Sequence, residues 1–378
     1  MFQRRLLLLL AVTVIGWALA GRAPAPERVR AQSPPRATMT IEEYEPRSTL
    51  VVASHAVPRA RFPVVDVHSH QPADLGGAAF DRRLAEMDAL NLRVLVNLSG
   101  GTGESLRRGM EARRGHPQAD RLVSFANLDL SQPVGPGYGT RAAAQVEADV
   151  RAGARGLKLF KNLGLRVRRA DGQRLAVDDP ELDPVWQACA RLRIPVLIHT
   201  GEPAAFFEPV DRHNERWLEL ALRPERRVTP PPSFEELVAE RDRLFARHPA
   251  TSFIVAHLGW HGNDLTRLGR LLDERPNVFT ETGAVLAELG RQPRTAAAFL
   301  AKYQDRILFG KDAYVPDEYP YFWRTFETTD EYFDYYRKYH AFWKLYGLGL
   351  PDPVLKKLYF ANAVRLVPGL PVAGWPAL

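Results

Sequence analysis

Two closely spaced histidines at the end of a short apolar run are the first residues in this sequence with clear chemical potential. The run at residues 64–67 leads directly into His68 and His70. Because side chains two residues apart on a strand lie on the same face, their imidazoles are expected to converge. Imidazole nitrogen is a preferred ligand of zinc and related divalent metals. Asp66, two residues earlier, is predicted either to bind the same metal or to orient one of the histidines.

Polar residues recur at the ends of later apolar runs. His199 and His257 each end such a run, and Asp312 follows another. If these runs are parallel strands of one barrel, their carboxyl ends share one face, where barrel enzymes place catalytic groups. A divalent metal held there would lower the pKa of a coordinated water toward about 7. Asp312 is then predicted to accept the water proton and return it to the leaving group.

The apolar runs alternate with amphipathic stretches, which is the pattern of repeated β–α units. The predicted strands are 64–67, 92–98, 122–128, 155–160, 194–199, 252–257, 277–282 and 307–310, and the clearest predicted helices are 180–192, Phe234–Arg247 and Leu265–Glu274. Eight such units favour an α/β fold of the (β/α)8 TIM-barrel type. A doubly wound nucleotide-binding sheet is disfavoured, because no GxGxxG motif follows any of the runs.

Two long segments interrupt the alternation, at 200–232 and 313–350, each directly after a predicted strand. Both are therefore predicted to be insertions on the C-terminal face of the barrel. The second is rich in aromatic residues, which either form a small core of their own or build a lid or pocket wall. In the first, Arg212, His213 and Arg216 either form salt bridges within the loop or bind an anionic group of the substrate.

Composition limits the class of protein. The chain has 378 residues, 46% of them hydrophobic and 25% charged, which is ordinary for a folded globular protein. The single cysteine, Cys189, excludes an internal disulfide or a cysteine-ligated zinc module, and it is predicted to lie in the core. The net charge of +7 comes from scattered arginines rather than a basic tract, so a small-molecule substrate is predicted and nucleic-acid binding is not.

The N-terminus carries the marks of an export signal. Residues 1–20 contain two arginines, an apolar stretch and a small-residue ending, which predicts a signal peptide. The apolar stretch is shorter than a membrane span requires, so no stable membrane insertion is expected after the leader is removed. The mature protein is predicted to be periplasmic or secreted, by the general or the twin-arginine route. Residues 21–61 are predicted to be an arm or linker, and 62–378 the catalytic domain.

Taken together, these motifs resemble the amidohydrolase superfamily over residues 62–367. The resemblance is to the amidohydrolase-related group that includes decarboxylases similar to aminocarboxymuconate semialdehyde decarboxylase. It implies that His68, His70, His199 and Asp312 bind the metal, most simply one Zn²⁺. It also implies that His257 polarises the substrate or acts as an acid or base.

The resemblance implies further candidates around this site. In two-metal members of the superfamily a carboxylated lysine bridges the ions, and Lys158 occupies a suitable place, with Lys161 a second choice. From its position at the end of the seventh predicted strand, Glu281 is expected either to add a carboxylate at the mouth or to be an ordinary exposed residue. Lys311 departs from the small or hydroxyl residue common before the final aspartate, and its charge is expected to lower the pKa of Asp312.

The predicted function is that of a metal-dependent hydrolase that uses a metal-activated water on a carbonyl or related electrophile. The alternative is a non-oxidative decarboxylase on the same scaffold, and a third hypothesis is a binding protein without activity. Related decarboxylases often begin the histidine motif with glutamate, where this chain has Asp66, and this difference favours hydrolysis. Barrels of this group often pair, so a homodimer is also expected.

Overall fold

A computed structural model describes residues 39–40, 43–371 and 373–377, so the predicted signal peptide at 1–20 lies outside the described residues. The chain divides into two compact units, Met1–Arg47 and Ser48–Leu378. In the first unit, the backbone N–H of Thr40 donates to the Glu43 carboxylate at 3.0 Å. The second unit carries the barrel.

Parallel strands form the centre of the second unit. Within the described residues they are β1 Val64–Ser69, β2 Leu92–Asn97, β3 Leu122–Ser124, β4 Ala126–Asn127, β5 Leu157–Leu159, β6 Val196–Ile198, β7 Phe253–Val255, β8 Val278–Glu281 and β9 Ile307–Leu308. Each strand pairs with the next except at the break between β3 and β4. At that break Phe125 N–H donates to the Asn97 carbonyl and Ala126 N–H to the Gly156 carbonyl, at 3.0 and 2.8 Å. Therefore β3 and β4 together fill one of eight strand positions.

The first and last strands are also joined by backbone hydrogen bonds. Val67 N–H donates to the Phe309 carbonyl at 3.0 Å, and Asp312 N–H donates to the His68 carbonyl at 2.7 Å. A parallel bridge between Ser69 and Asp312 continues this seam. The predicted fold, a (β/α)8 TIM barrel, is confirmed.

Helices follow the strands in the order expected of β–α units. They are α1 Gly77–Leu90, α2 Gly103–Glu111, α3 Tyr138–Arg151, α4 Asn162–Leu165, α5 Asp183–Leu192, α6 Trp217–Leu222, α7 Phe234–Arg247, α8 Leu265–Glu274, α9 Leu286–Gly290, α10 Pro293–Lys302, α11 Tyr319–Glu327, α12 Asp352–Lys356 and α13 Asn362–Leu366. The predicted bounds of α7 and α8 are confirmed, and Ser233 caps α7 through a reciprocal hydrogen-bond pair with Glu236. Among the described residues, no helix is long and apolar enough to cross a membrane.

The first half of the aromatic insertion packs against the barrel. Phe309, which directly follows β9, contacts the rings of Phe322 and Trp323 at centroid distances of 5.6 and 5.0 Å. Tyr319 and Phe326, also on α11, complete this cluster at 6.3 and 6.4 Å. The aromatic residues of α11 thus extend the barrel core rather than forming a separate one. Cys189 is buried, as predicted.

The first insertion is held by ion pairs rather than left open to an anionic ligand. The buried guanidinium of Arg216 donates to Glu219 at 2.9 Å and to Glu288 at 3.1 Å. Arg212 donates to His213 at 3.0 Å on the exposed surface. Two roles were predicted for Arg212, His213 and Arg216, and Arg216 has the first of them, a salt bridge that involves the loop.

The Phe309 cluster predicts a large stability effect. Phe309→Ala should lower the free energy of unfolding by about 3–5 kcal/mol, because it removes a fully buried ring and leaves a cavity. Phe342→Ala removes a ring of the aromatic insertion that is 79% exposed, and it should change the free energy of unfolding by less than about 0.5 kcal/mol. Denaturant unfolding of both variants measures the difference. Equal losses would contradict the packing described for Phe309.

Candidate metal centre

His68 is oriented by a buried carboxylate. Its Nδ1 lies 2.9 Å from Glu281 Oε1, and both side chains have no exposed surface. A carboxylate accepts hydrogen bonds, so Nδ1 carries the hydrogen and Nε2 presents its lone pair. Nε2 is buried and has no hydrogen-bond partner among the described residues. A histidine held in this way by a carboxylate is the usual arrangement of a metal ligand.

Glu281 makes two further hydrogen bonds. It accepts from the backbone N–H of His257 at 2.6 Å and from that of Gly283 at 2.5 Å. The carboxylate reaches this position only because residue 310 is glycine, since a Cβ there would lie 2.1 Å from Glu281 Oε2. Glu281 is thus not at the mouth of the site, as the sequence suggested, but buried behind the histidines.

Asp312 stands beside both histidines of the motif. Its Oδ1 lies 3.5 Å from His68 Nε2 and 3.5 Å from His70 Nε2. The other nitrogen of His70, Nδ1, is 2.8 Å from the Ser99 hydroxyl, which fixes the ring. The barrel seam at His68 and Asp312 is therefore what brings the first and last predicted ligands together.

His257 and His199 complete the cluster. His257 Nδ1 donates to the Gly283 carbonyl at 2.8 Å, and its Nε2 lies 3.3 Å from His199 Nδ1. The Nε2 of His199 is buried without a partner among the described residues. One ligand atom each from His68, His257 and Asp312 lie within 4.8 Å of one another. His257, which was predicted to be an acid or base, therefore lies close enough to His68 and Asp312 to share a metal with them. The metal-ligand set His68, His70, His199 and Asp312 stays a prediction.

A left-handed turn positions an indole beside these histidines. The φ angles of His257, Leu258, Gly259 and Trp260 are 59, 53, 61 and 59°. Left-handed backbone costs roughly 1–2 kcal/mol for each residue other than glycine, and such strain persists only where the surrounding structure enforces it. The turn stacks Trp260 on His257, with ring centroids 4.5 Å apart. In the sequence, Gly259 was the one signal of this turn. Trp260 was not among the residues predicted to lie at the site.

The electrostatics of the cluster favour neutral imidazoles. Burial lowers the pKa of His68, His70, His199 and His257, and the charge of Lys158 lowers each further. Burial by itself would raise the pKa of Asp312, but the neighbouring imidazoles and Lys158 hold it below its ordinary value. Neutral imidazole and ionised carboxylate are the forms that bind a metal.

Asp66 supports the ligands without facing them. One of its oxygens accepts the backbone N–H groups of His68 and Lys311, at 3.0 and 3.1 Å, and the other accepts the Tyr319 hydroxyl at 2.6 Å. Burial raises the pKa of Asp66 to about 7, although these hydrogen bonds oppose the shift. Of the two roles predicted for Asp66, this geometry fits the orienting one.

The three lysines singled out in the sequence differ in their surroundings. Lys158 is buried, and its ammonium has no hydrogen-bond partner among the described residues. Lys161 is paired with Glu202. Lys311 donates hydrogen bonds to the Ala313 carbonyl and to Glu318, so its positive charge is paired with the Glu318 carboxylate. The pKa of Asp312 is lowered as expected, but the histidines and Lys158 lower it rather than Lys311.

A sequence model of the amidohydrolase family matches residues 65–369, which covers every side chain of this cluster. The chain belongs to the amidohydrolase family. No curated protein sequence matches it.

Several solved structures are similar to this amidohydrolase-family chain at low identity. An uncharacterized TIM-barrel protein from Bordetella bronchiseptica is 17% identical, with a TM-score of 0.48, over 80% of this chain and 98% of its own. The 2,6-dihydroxybenzoate decarboxylase from Rhizobium is 17% identical, with a TM-score of 0.47, over 81% and 98%. A dihydroxybenzoic acid decarboxylase from Polaromonas sp. JS666, with bound manganese and 2-nitroresorcinol, is 16% identical, with a TM-score of 0.48, over 81% and 96%.

The support that Glu281 gives to His68 can be tested on metal affinity. Glu281→Gln should weaken metal binding by about 10–100-fold, because the His68 ring loses a charged acceptor. Competition with a chromophoric chelator measures this affinity. Glu288→Gln, which neutralises a buried carboxylate paired with Arg216 instead, is the control and should bind metal as the unmodified protein does. Unchanged affinity in a folded Glu281→Gln variant would remove Glu281 from the metal centre.

Proposed function

We propose that this protein is a metal-dependent hydrolase that acts on a carbonyl or related electrophile of a small organic substrate. One observation carries the proposal: ligand atoms of His68, His257 and Asp312, from three different strand ends, lie within 4.8 Å of one another. The buried Nε2 atoms of His68 and His199 lack partners, so the donors fit a divalent cation. Zinc suits this set of imidazole and carboxylate donors.

A cation bound there would act as a Lewis acid and make a water nucleophilic near neutral pH. The chain's own groups supply the rest of the proposed chemistry. Asp312 is ionised and 32% exposed in its side chain, so it can accept a proton from water and return it to the leaving group. His257, fixed at Nδ1 by the Gly283 carbonyl, keeps Nε2 directed toward the cluster. If His68, His70, His199 and Asp312 hold the cation, this nitrogen would orient the substrate instead of binding the cation.

Decarboxylation on the same scaffold is the second candidate. The observation that favours it is the unpaired ammonium of Lys158 near the cluster, which suits a substrate that carries a carboxylate. Against it stands the residue type of Asp66, because decarboxylases that resemble this chain often begin the histidine motif with glutamate. We therefore rank hydrolysis first.

Metal content tests the centre directly. The purified protein should hold about one equivalent of zinc or a related metal per chain, and the double variant with His68→Ala and His70→Ala should hold none. Elemental analysis after dialysis measures both. Full occupancy in the double variant would remove this centre, and two equivalents in the unmodified protein would assign Lys158 a bridging role.

The proposed proton transfer is tested at Asp312. On whichever substrate is turned over in a panel of esters, lactones, amides and carboxylates, Asp312→Asn should lower turnover by about 10²- to 10⁴-fold. Rates are taken per metal-loaded site, and product analysis separates hydrolysis from loss of CO₂. Asp317→Asn, which neutralises an exposed acid five residues further along the chain, is the control. An unchanged rate for Asp312→Asn would exclude Asp312 from the reaction.

A further inference from the structure

A pocket of about 400 Å³ lies between the segment that follows β5 and the first insertion. It is lined on one side by Lys161, Asn162, Leu165 and Arg166, and on the other by Glu202 and residues of the segment 225–232. None of the histidines or the aspartate of the candidate metal centre lines it. Sites for small molecules usually have volumes of about 300–1,000 Å³. The pocket is therefore large enough for a small ligand, and its lining is not that of the metal centre.

Two buried oxygen atoms of this lining lack a hydrogen-bond donor. Glu202 is 5% exposed, and its Oε1 pairs with the ammonium of Lys161. Its other oxygen, Oε2, is buried and has no hydrogen-bond partner among the described residues, and the same holds for Oδ1 of Asn162. A buried acceptor without a donor is destabilising. Both atoms therefore favour a ligand that donates hydrogen bonds.

The lining as a whole is positively charged. Four of its side chains are cationic, and two, Glu202 and Glu225, are anionic. The charge of Arg226 is paired with Glu219. Arg166 and Arg227 are exposed, and neither has an ion-pair partner in the part of the chain that the structure describes. A guanidinium matches the two oxygens of a carboxylate, so these arginines favour a ligand with an anionic group.

Apolar side chains form the rest of the wall. Leu165 and Val228 are partly buried, and Pro232 is buried. An apolar group of a ligand would be removed from water by contact with these side chains. The pocket thus combines buried acceptors, guanidinium groups and apolar surface.

This combination excludes ligands with a single kind of group. A carboxylate without an amine would leave Glu202 Oε2 and Asn162 Oδ1 without a donor. An amine without a carboxylate would be repelled by the charges of Arg166 and Arg227. An α-amino acid carries an ammonium with three donors, a carboxylate and a side chain on one carbon atom, and so it can meet all three requirements.

We infer that this pocket binds a free α-amino acid with an apolar side chain, such as leucine. The ammonium of the ligand donates to Glu202 and Asn162. Its carboxylate is held by Arg166 and Arg227, and its side chain contacts Leu165. The inference goes beyond the proposed function, because it concerns a second site that does not require the metal.

The test is calorimetry on the metal-loaded protein at physiological salt, with L-leucine, leucinamide and isocaproate as ligands. Leucinamide lacks the carboxylate and isocaproate lacks the ammonium. Each should bind about tenfold more weakly than leucine, because each loses a hydrogen bond between charged groups.

Glu202→Gln should weaken leucine binding by about tenfold for the same reason. Glu225→Gln is the matched control, because it neutralises the exposed acid that lines the same pocket, and it should change leucine affinity by less than about twofold. Should Glu202→Gln not fold, Arg227→Gln takes its place, since Arg227 is exposed. It should weaken the binding of leucine but not that of leucinamide.

Three outcomes would overturn the inference. The first is leucine binding that is as tight in Glu202→Gln, or in the substitute Arg227→Gln, as in the unmodified protein. The second is leucine binding that disappears when a chelator removes the metal, because leucine would then be a ligand of the metal. The third is no leucine binding by the unmodified protein, in which case water alone satisfies the buried oxygens. A protein that binds leucine but no metal would defeat the proposed function and leave this inference intact.

Discussion

The backbone seam between the first and last strands is the constraint on which the site depends. Val67 donates to Phe309 and Asp312 donates to His68 across this seam, so that residues far apart in the sequence become neighbours. Asp66 reinforces the seam, because one carboxylate oxygen accepts N–H groups from both sides of it. The same few hydrogen bonds thus close the barrel and set Asp312 within 3.5 Å of two imidazoles.

Buried charge is distributed around this seam in two different ways. Glu281, Asp66 and Lys311 are saturated by hydrogen bonds, and they hold the backbone and the His68 ring in place. His68, His199 and Lys158 each have a buried polar atom with no hydrogen-bond partner in the part of the chain that the structure describes. The hydrogen-bonded carboxylates and Lys311 therefore stabilise the backbone around the site, while the unpaired imidazole nitrogens of His68 and His199 lie at the site itself.

The insertions are built into the barrel rather than added to it. Aromatic residues of α11 pack on Phe309, next to the strand that ends at the site, and Tyr319 bonds Asp66. Arg216 joins the first insertion to Glu288 on α9, and its contact with the His340 carbonyl at 3.4 Å reaches the second insertion. Both insertions are therefore connected to the barrel unit by buried side-chain contacts.

The sequence by itself determined the eight strand positions, the α7 and α8 bounds and the residues His68, His70, His199, His257 and Asp312 as a group. Apolar runs of strand length and the polar residues that end them are local features, and a parallel barrel brings all such ends to one face. Only the tertiary structure decided the surroundings of Glu281, Asp66, Trp260 and Lys158. Their roles depend on contacts between distant parts of the chain, such as the 213 residues that separate His68 from Glu281, and on whether a buried atom finds a partner. No local pattern encodes those distances.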